Sequence, residues 1–149
     1  RSYGEILDEW HYGEAERGLI VEPFIGAEAA VLPLDYKVYV FGGHAQIVQL
    51  HVGRGEDHQW TQFNRDWIPV SDNPIVASPP TNLAAMLDAA ERLAAGHDFL
   101  RVDFFDVDGK LWFGEFCLFP GSGLDPFRPD ALDRMLGDCW GDARQRASA

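Results

Sequence analysis

The chain has few cysteines, few basic residues and no long apolar run, and each shortage excludes something. Two cysteines in 149 residues, Cys117 and Cys139, cannot form a disulfide framework, so reduced thiols in a cytoplasmic setting are expected. Twelve Lys and Arg against twenty-four Asp and Glu give a formal net charge of −12. A surface of that sign repels phosphate backbones and sets aside general nucleic-acid or anionic-membrane binding. It does not set aside a nucleotide, which arrives with magnesium and needs only a local positive pocket. No apolar stretch approaches the ~20 residues of a membrane span, and no basic-then-apolar leader opens the chain. His11, His44, His51, His58 and His97 do not stand at metal-ligand spacing and read as structural. Repeats and low-complexity linkers are absent as well.

What is present suits a packed core. With 46% hydrophobic and 13% aromatic residues, the chain reads as one domain over residues 1–149. Its expected class is α+β, a mostly antiparallel sheet with helices packed on one face. Residues 2–17 read as a short helix or ordered lead-in. A short strand over residues 19–25 is interrupted by Pro23, which suits an edge or strand end because proline removes a ladder donor. Residues 26–33 are small and expected to be mobile. Residues 35–41 alternate as a strand, Gly42-Gly43 is a turn signal, and residues 44–52 return as the next strand. Glycines and prolines make residues 53–80 irregular, packed down by Trp60, Phe63, Trp67 and Ile68. Leu83, Met86, Leu87, Ala90, Leu93 and Ala94 then follow helical spacing, with Thr81 or Asn82 as cap and Gly96 past the end. A final short helix is expected near residues 129–136, followed by a flexible tail over 141–149.

The most informative stretch is residues 101–121. Two β-prone runs flank Asp108-Gly109, a strong hairpin signal, yet Arg101, Asp103 and Glu115 interrupt them. Charges in such strands are costly unless they pair or hold a cation, so Asp103 and Glu115 either pair with Arg101 and Lys110 or bind a metal. Register separates two arrangements. A two-residue turn sets Asp103 opposite Gly114, with Glu115 on the other face. A three-residue Asp108-Gly109-Lys110 loop sets Asp103 opposite Glu115 and Arg101 opposite Cys117, with Phe104, Phe116 and Leu118 toward the helix. Cross-strand Cβ atoms lie about 5 Å apart, within reach of one metal, and the three-residue reading is the one expected here.

These residues resemble a known family. Arg-x-Asp, then Asp-Gly, then Glu115-x-Cys117-x-x-Pro120-Gly121 is similar to the closing hairpin of ATP-grasp enzymes, whose usual form ends Glu-x-Asn-x-x-Pro-Gly. Residues 20–25, Ile-Val-Glu-Pro-Phe-Ile, resemble that family's adenine-binding hinge, and residues 35–43, Asp-Tyr-Lys-Val-Tyr-Val-Phe-Gly-Gly, resemble its nucleotide-binding strand. The wording is most similar to the teichuronopeptide-biosynthesis (TupA-like) branch, over about residues 9–137.

The resemblance implies ATP and Mg2+ in a C-terminal ATP-grasp-like lobe, beginning after the Gly-rich loop and lysine that the family places upstream. An upstream lobe or companion chain would then complete the site, and this piece by itself would have low ATP affinity. Glu22, Pro23 and Phe24 would meet the adenine and Asp35 the ribose region. Lys37 would touch phosphate, Asp103 and Glu115 would hold magnesium, and Arg101 would stabilise the transferring phosphoryl group. Arg54, Cys117 and Gly121 would face substrate. The implied activity is a carboxylate–amine ligase that forms an acylphosphate and then an amide from small-molecule substrates, in cell-surface polysaccharide or peptide-polymer biosynthesis. A non-catalytic binding or scaffold domain and a phosphotransferase acting on a sugar or alcohol are the alternatives. Cys117 departs from the family's Asn, and a thiol is a poor ligand for hard magnesium.

Overall fold

Two pairs of left-handed residues fold the sheet. Gly42 and Gly43 have φ of 57° and 80°, and Asp108 and Gly109 have φ of 52° and 70°. Positive φ at both central positions gives the primed turns whose twist matches paired strands. The first joins β1 (Asp35–Phe41) to β2 (His44–Val52), and the second joins β4 (Phe99–Val107) to β5 (Lys110–Cys117). With β3 (Gln59–Asn64) they form one antiparallel sheet in the order β3-β2-β1-β4-β5. The computed structural model describes residues 6–26, 32–54, 57–72 and 74–147. Most of the stretch expected to be mobile at 26–33, and the start of the lead-in at 2–17, lie outside the described residues.

The class is α+β, as the sequence indicates, but the helices divide between the two faces of the sheet. One face carries Tyr36, Val38, Val40, Val48, Leu50, Phe63, Leu100, Val102 and Phe104. It is sealed by α2 (Leu83–Leu93) through Met86, Leu87 and Ala90. Asn82 sits at the cap position without a capping bond of its own. Its backbone N and Nδ2 instead donate to the Asp106 carboxylate, each at 2.9 Å. The other face is covered at one end by α3 (Asp130–Ala147), whose Leu132 and Leu136 pack on Tyr39, Phe41 and Ile47. The opposite end of that face is polar and uncovered by helix.

Three expectations need correction. Residues 53–80 contain β3, because Thr61 and Phe63 are buried within an edge strand that the surrounding glycines and prolines disguise. Residues 19–25 form no strand, with Leu19, Ile20 and Val21 88–97% exposed. The expected tail is helical to Ala147, since Ala143 is buried and α3 lies so close to the turn that a Cβ on Gly42 would fall 2.9 Å from the Ala143 Cβ. Near the start, the expected short helix is present among the described residues as α1 (His11–Glu14). Phe63 and Trp67 do pack, their rings stacked 4.2 Å apart, whereas Trp60 and Ile68 remain exposed.

Candidate functional site

The hairpin resolves its register conflict with a bulge. Its loop has two residues, not three: Val107 pairs with Lys110, and the pairing runs through Phe104 opposite Phe113. Past Asp103 the register shifts, so that Val102 faces Phe116 and Arg101 faces Cys117. Gly114 and Glu115 together therefore lie opposite Asp103, which is how a bulge returns Glu115 to the Asp103 face. Gly114 is suited to that position, since an added Cβ would lie 3.1 Å from the Asp103 carbonyl oxygen and 3.2 Å from the Phe105 ring.

With that register, the polar face reads as three rows across the strands. The first runs Trp60, His51, Asp35, Phe105, Trp112, and the second runs Gln62, Gln49, Lys37, Asp103 and then the bulge. The third runs Asn64, Ile47, Tyr39, Arg101, Cys117. Alternation alone brings these side chains together, because residues two apart on a strand share a face.

Charge at the centre is tightly paired. Lys37 Nζ lies 2.8 Å from Asp35 Oδ2 and 2.5 Å from Asp103 Oδ2. Arg101 grips Asp103 with Nε on Oδ1 and Nη2 on Oδ2, both at 2.7 Å, and reaches Glu115 Oε1 at 3.4 Å. Arg54 Nη1 donates to Asp35 Oδ2 at 2.7 Å. Three carboxylates thus face three cations. Lys110 takes no part in this network. Asp35, Lys37, Asp103 and Arg101 are all buried, and Asp35 Oδ1 has no hydrogen-bond partner, a costly state in a low-dielectric site.

Protonation follows from these neighbours. Burial raises the Glu115 carboxyl, as do the negative charge of Asp103 and a hydrogen bond between the two carboxyl groups. Burial opposes the Arg101 charge, but Asp103 more than offsets it and holds the guanidinium protonated. Tyr39 is pushed up to about 12 by burial, with Arg101 acting the other way. Burial raises Cys117 against the pull of Arg101, so it is a thiol and not a thiolate. His51 is lowered to about 3 by burial and then by Lys37, His58, Arg54 and Arg101, which keeps its ring neutral.

Two cavities flank this centre. One, of about 630 Å³, is lined by Glu22, Pro23 and Phe24 on one side and by Asp35, Asp103 and Glu115 on the other, with Arg54 at its wall. The second, of about 400 Å³, lies beyond Arg101 and includes His51, His58, Trp60, Gln62 and Gly121. The residues anticipated from the hinge, the strand and the hairpin thus converge on one end of one face. Gln49, His51, His58 and Gln62 escape a linear reading. The parity of β2 puts Gln49 and His51 beside Lys37 and Asp35, but only the unanticipated β3 supplies Gln62 and Trp60. Among the described residues, no three His, Cys, Asp or Glu side chains gather as a metal cluster, and no helix is long and apolar enough to cross a membrane.

A protein-family model described as TupA-like ATPgrasp matches residues 5–140. No curated protein and no solved structure matches the chain.

Proposed function

Since the chain belongs to the TupA-like ATP-grasp family, we propose that it binds MgATP and works as a carboxylate–amine ligase module, through an acylphosphate. The single observation that carries this reading is the wall of the larger cavity, where Glu22, Pro23 and Phe24 face Asp35, Asp103 and Glu115. The adenine would lie along residues 22–24 and the ribose near Asp35. Asp103 and Glu115 offer hard oxygen donors of the kind magnesium takes, its remaining ligands being phosphate and water. The orphaned Asp35 Oδ1 marks a further oxygen without a protein partner.

When bound, magnesium would neutralise phosphate charge. The chain's own residues do the rest by position. Lys37 and Arg101, now spent on Asp103, can turn toward phosphate oxygens and so release Asp103 as a ligand. Because Lys37, Arg54 and Arg101 already balance Asp35, Asp103 and Glu115, magnesium alone finds little free charge at the ion-pair centre, and metal and nucleotide should bind together. Arg101, which lines the second cavity and is bonded to Asp103 on the wall of the first, would steady the charge that moves from nucleotide to substrate. The exposed Leu19, Ile20 and Val21 suit an upstream lobe or companion chain.

Calorimetric titration with MgATP, on the chain extended upstream, tests the reading. Binding should weaken on Asp103→Asn and Glu115→Gln, and a missing transition-state contact should cost about 3 kcal/mol in turnover. No binding, with no effect of either variant, defeats it. One observation favours a second reading, a binding domain without catalysis: both Asp103 oxygens are already engaged by Lys37 and Arg101. ADP release with any carboxylate and amine would exclude it.

A further inference from the structure

The end of the sheet that α3 covers holds a third cavity, of about 300 Å³, which the nucleotide reading does not use. It shares no lining residue with the larger cavity, and Tyr39, Pro120, Asp125 and Phe127 with the second. Six aromatic residues line it: Tyr39, Phe41, Phe99, Phe119, Phe127 and Trp140. The fold brings them together from distant parts of the chain. Tyr39 and Phe41 share a face of β1, Phe99 pairs with Phe41 at the start of β4, Phe119 and Phe127 stand on either side of the turn at Pro120–Gly123, and Trp140 lies on α3.

The rings brace one another. Phe99 lies 5.0 Å from Phe41 and 5.6 Å from Trp140 between ring centres, and Phe127 meets Tyr39 edge-on at 5.5 Å. The Trp140 indole N–H donates to Asp98 Oδ2 at 3.0 Å. Its one polar atom is thereby used, so Trp140 offers the cavity carbon surface and no donor. Arg101 likewise takes the Tyr39 hydroxyl, its own charge being balanced by Asp103.

Charge in this lining has one sign. Asp125 and Asp133 are its charged members, with no lysine, arginine or histidine beside them. Neither forms an ion pair with a described residue. Arg128, the nearest cation in sequence to Asp125, is bonded to Asp130, and Arg134, next to Asp133 on α3, does not line the cavity. An anion would meet uncompensated negative charge here, and a neutral apolar molecule would leave both carboxylates unused. A primary ammonium would exchange three N–H bonds to water for walls made mostly of carbon. A cation whose charge is spread over methyl groups gives up no such bonds, is attracted to ring faces and is favoured by the carboxylates.

We propose that this cavity binds a quaternary or N-methylated organic ammonium group, with Phe99, Phe119, Phe127 and Trp140 as its walls and Asp125 and Asp133 as its counter-charges. The site stands apart from the MgATP reading, and either can hold without the other.

Choline serves as the probe, with 3,3-dimethylbutanol as its neutral isostere and ethanolamine as its unmethylated counterpart. NMR of the full chain follows the Trp140 indole N–H signal, identified by its loss in Trp140→Leu, together with the choline methyl signal. Choline should shift the indole signal saturably, and both control compounds should bind about tenfold or more weakly. Added sodium chloride should weaken choline binding. Asp133→Asn, at an exposed position, should weaken choline severalfold and flatten that salt dependence. Trp140→Leu should weaken choline about tenfold, read from the choline methyl signal. Unchanged amide signals in β2 show that a variant is folded, and Asp133→Asn decides alone should Trp140→Leu not fold. Equal binding of 3,3-dimethylbutanol would make the cavity merely apolar, and equal binding of ethanolamine would remove the methyl preference. Indole shifts that follow protein concentration without probe would mean that a second copy fills the cavity. Each of these overturns the proposal, as do unsaturating choline shifts or undiminished choline binding in the folded variants.

Discussion

Arg101 and Asp103, two residues apart on β4, point to the same face and meet through two parallel hydrogen bonds of 2.7 Å. Each is buried, so the pair stands as a unit. Removing one partner of a buried ion pair leaves an uncompensated charge and costs about 3–5 kcal/mol. Arg101→Ala should therefore lower unfolding free energy by about 3 kcal/mol, Lys37 still holding one Asp103 oxygen. Glu115→Gln should change stability by less than about 1 kcal/mol, because that side chain is 64% exposed and 3.4 Å from Arg101. Urea denaturation of the two variants distinguishes them. Glu115→Gln then provides a folded protein in which nucleotide binding can be read separately from stability.

Gly114 supports a second prediction. An alanine Cβ would meet the Asp103 carbonyl at 3.1 Å and the Phe105 ring at 3.2 Å, so the bulge must open or the hairpin must slip. Overpacking of this order costs about 1–3 kcal/mol. Gly114→Ala should lose that much in denaturant unfolding. Its backbone amide shifts should move over residues 101–104 and 113–117 far more than in β2.

How far the site could be read from the sequence depended on where each residue stood relative to a turn. Lys37, Asp35 and the Arg101-Val102-Asp103 run stand in strands with clear alternation, so their shared face follows from parity alone. The expected three-residue loop puts Glu115 on the observed face, but through the wrong device. An expected three-residue loop and an observed two-residue turn plus bulge give the same Arg101–Cys117 pairing, and no linear pattern separates them, since Gly114 reads equally well as an ordinary strand glycine. β3 was hidden because its six residues sit between Gly53 and the prolines at 69 and 74, where local composition indicates a loop and long-range pairing decides otherwise. The division of helices between two faces was hidden for a related reason. The odd-numbered apolar residues Tyr39 and Phe41 look like the upper end of a polar face until α3 is found packed on them.

The helical end of the chain gives a third prediction. Polar composition after Gly141 suggested a tail, yet Ala143 is buried and α3 runs to Ala147. Truncation after Trp140 removes the contact of Ala143 with the Gly42 turn. It should lower the thermal midpoint by several degrees, a loss of about 1 kcal/mol being worth about 2–8 °C in domains of this size range. An unchanged midpoint would mean that the last turns of α3 contribute nothing to the fold.

His51 supplies a pH dependence whose sign can be worked out. Its folded pKa of about 3 lies below the ordinary 6.5, burial being the first cause and the cations Lys37, Arg54 and Arg101 adding to it. The unfolded chain therefore takes up a proton near pH 6.5 that the folded chain refuses. Stability is complete above that pH and is lost progressively as pH falls from about 6.5 toward 3. At pH 5 the unfolded state has gained at most about 2 kcal/mol from this one ring, given an unperturbed pKa near 6.5. His11, His44, His97 and the carboxylates are common to wild type and a His51→Gln variant and largely cancel in the difference between the two, which then reports His51 together with the His58 ring bonded to it. Urea unfolding at pH 7 and pH 5 should show the wild type losing more stability than His51→Gln over that interval. Equal losses would mean that the His51 ring is protonated in the folded protein, and the cationic surroundings described for it would then have to be wrong.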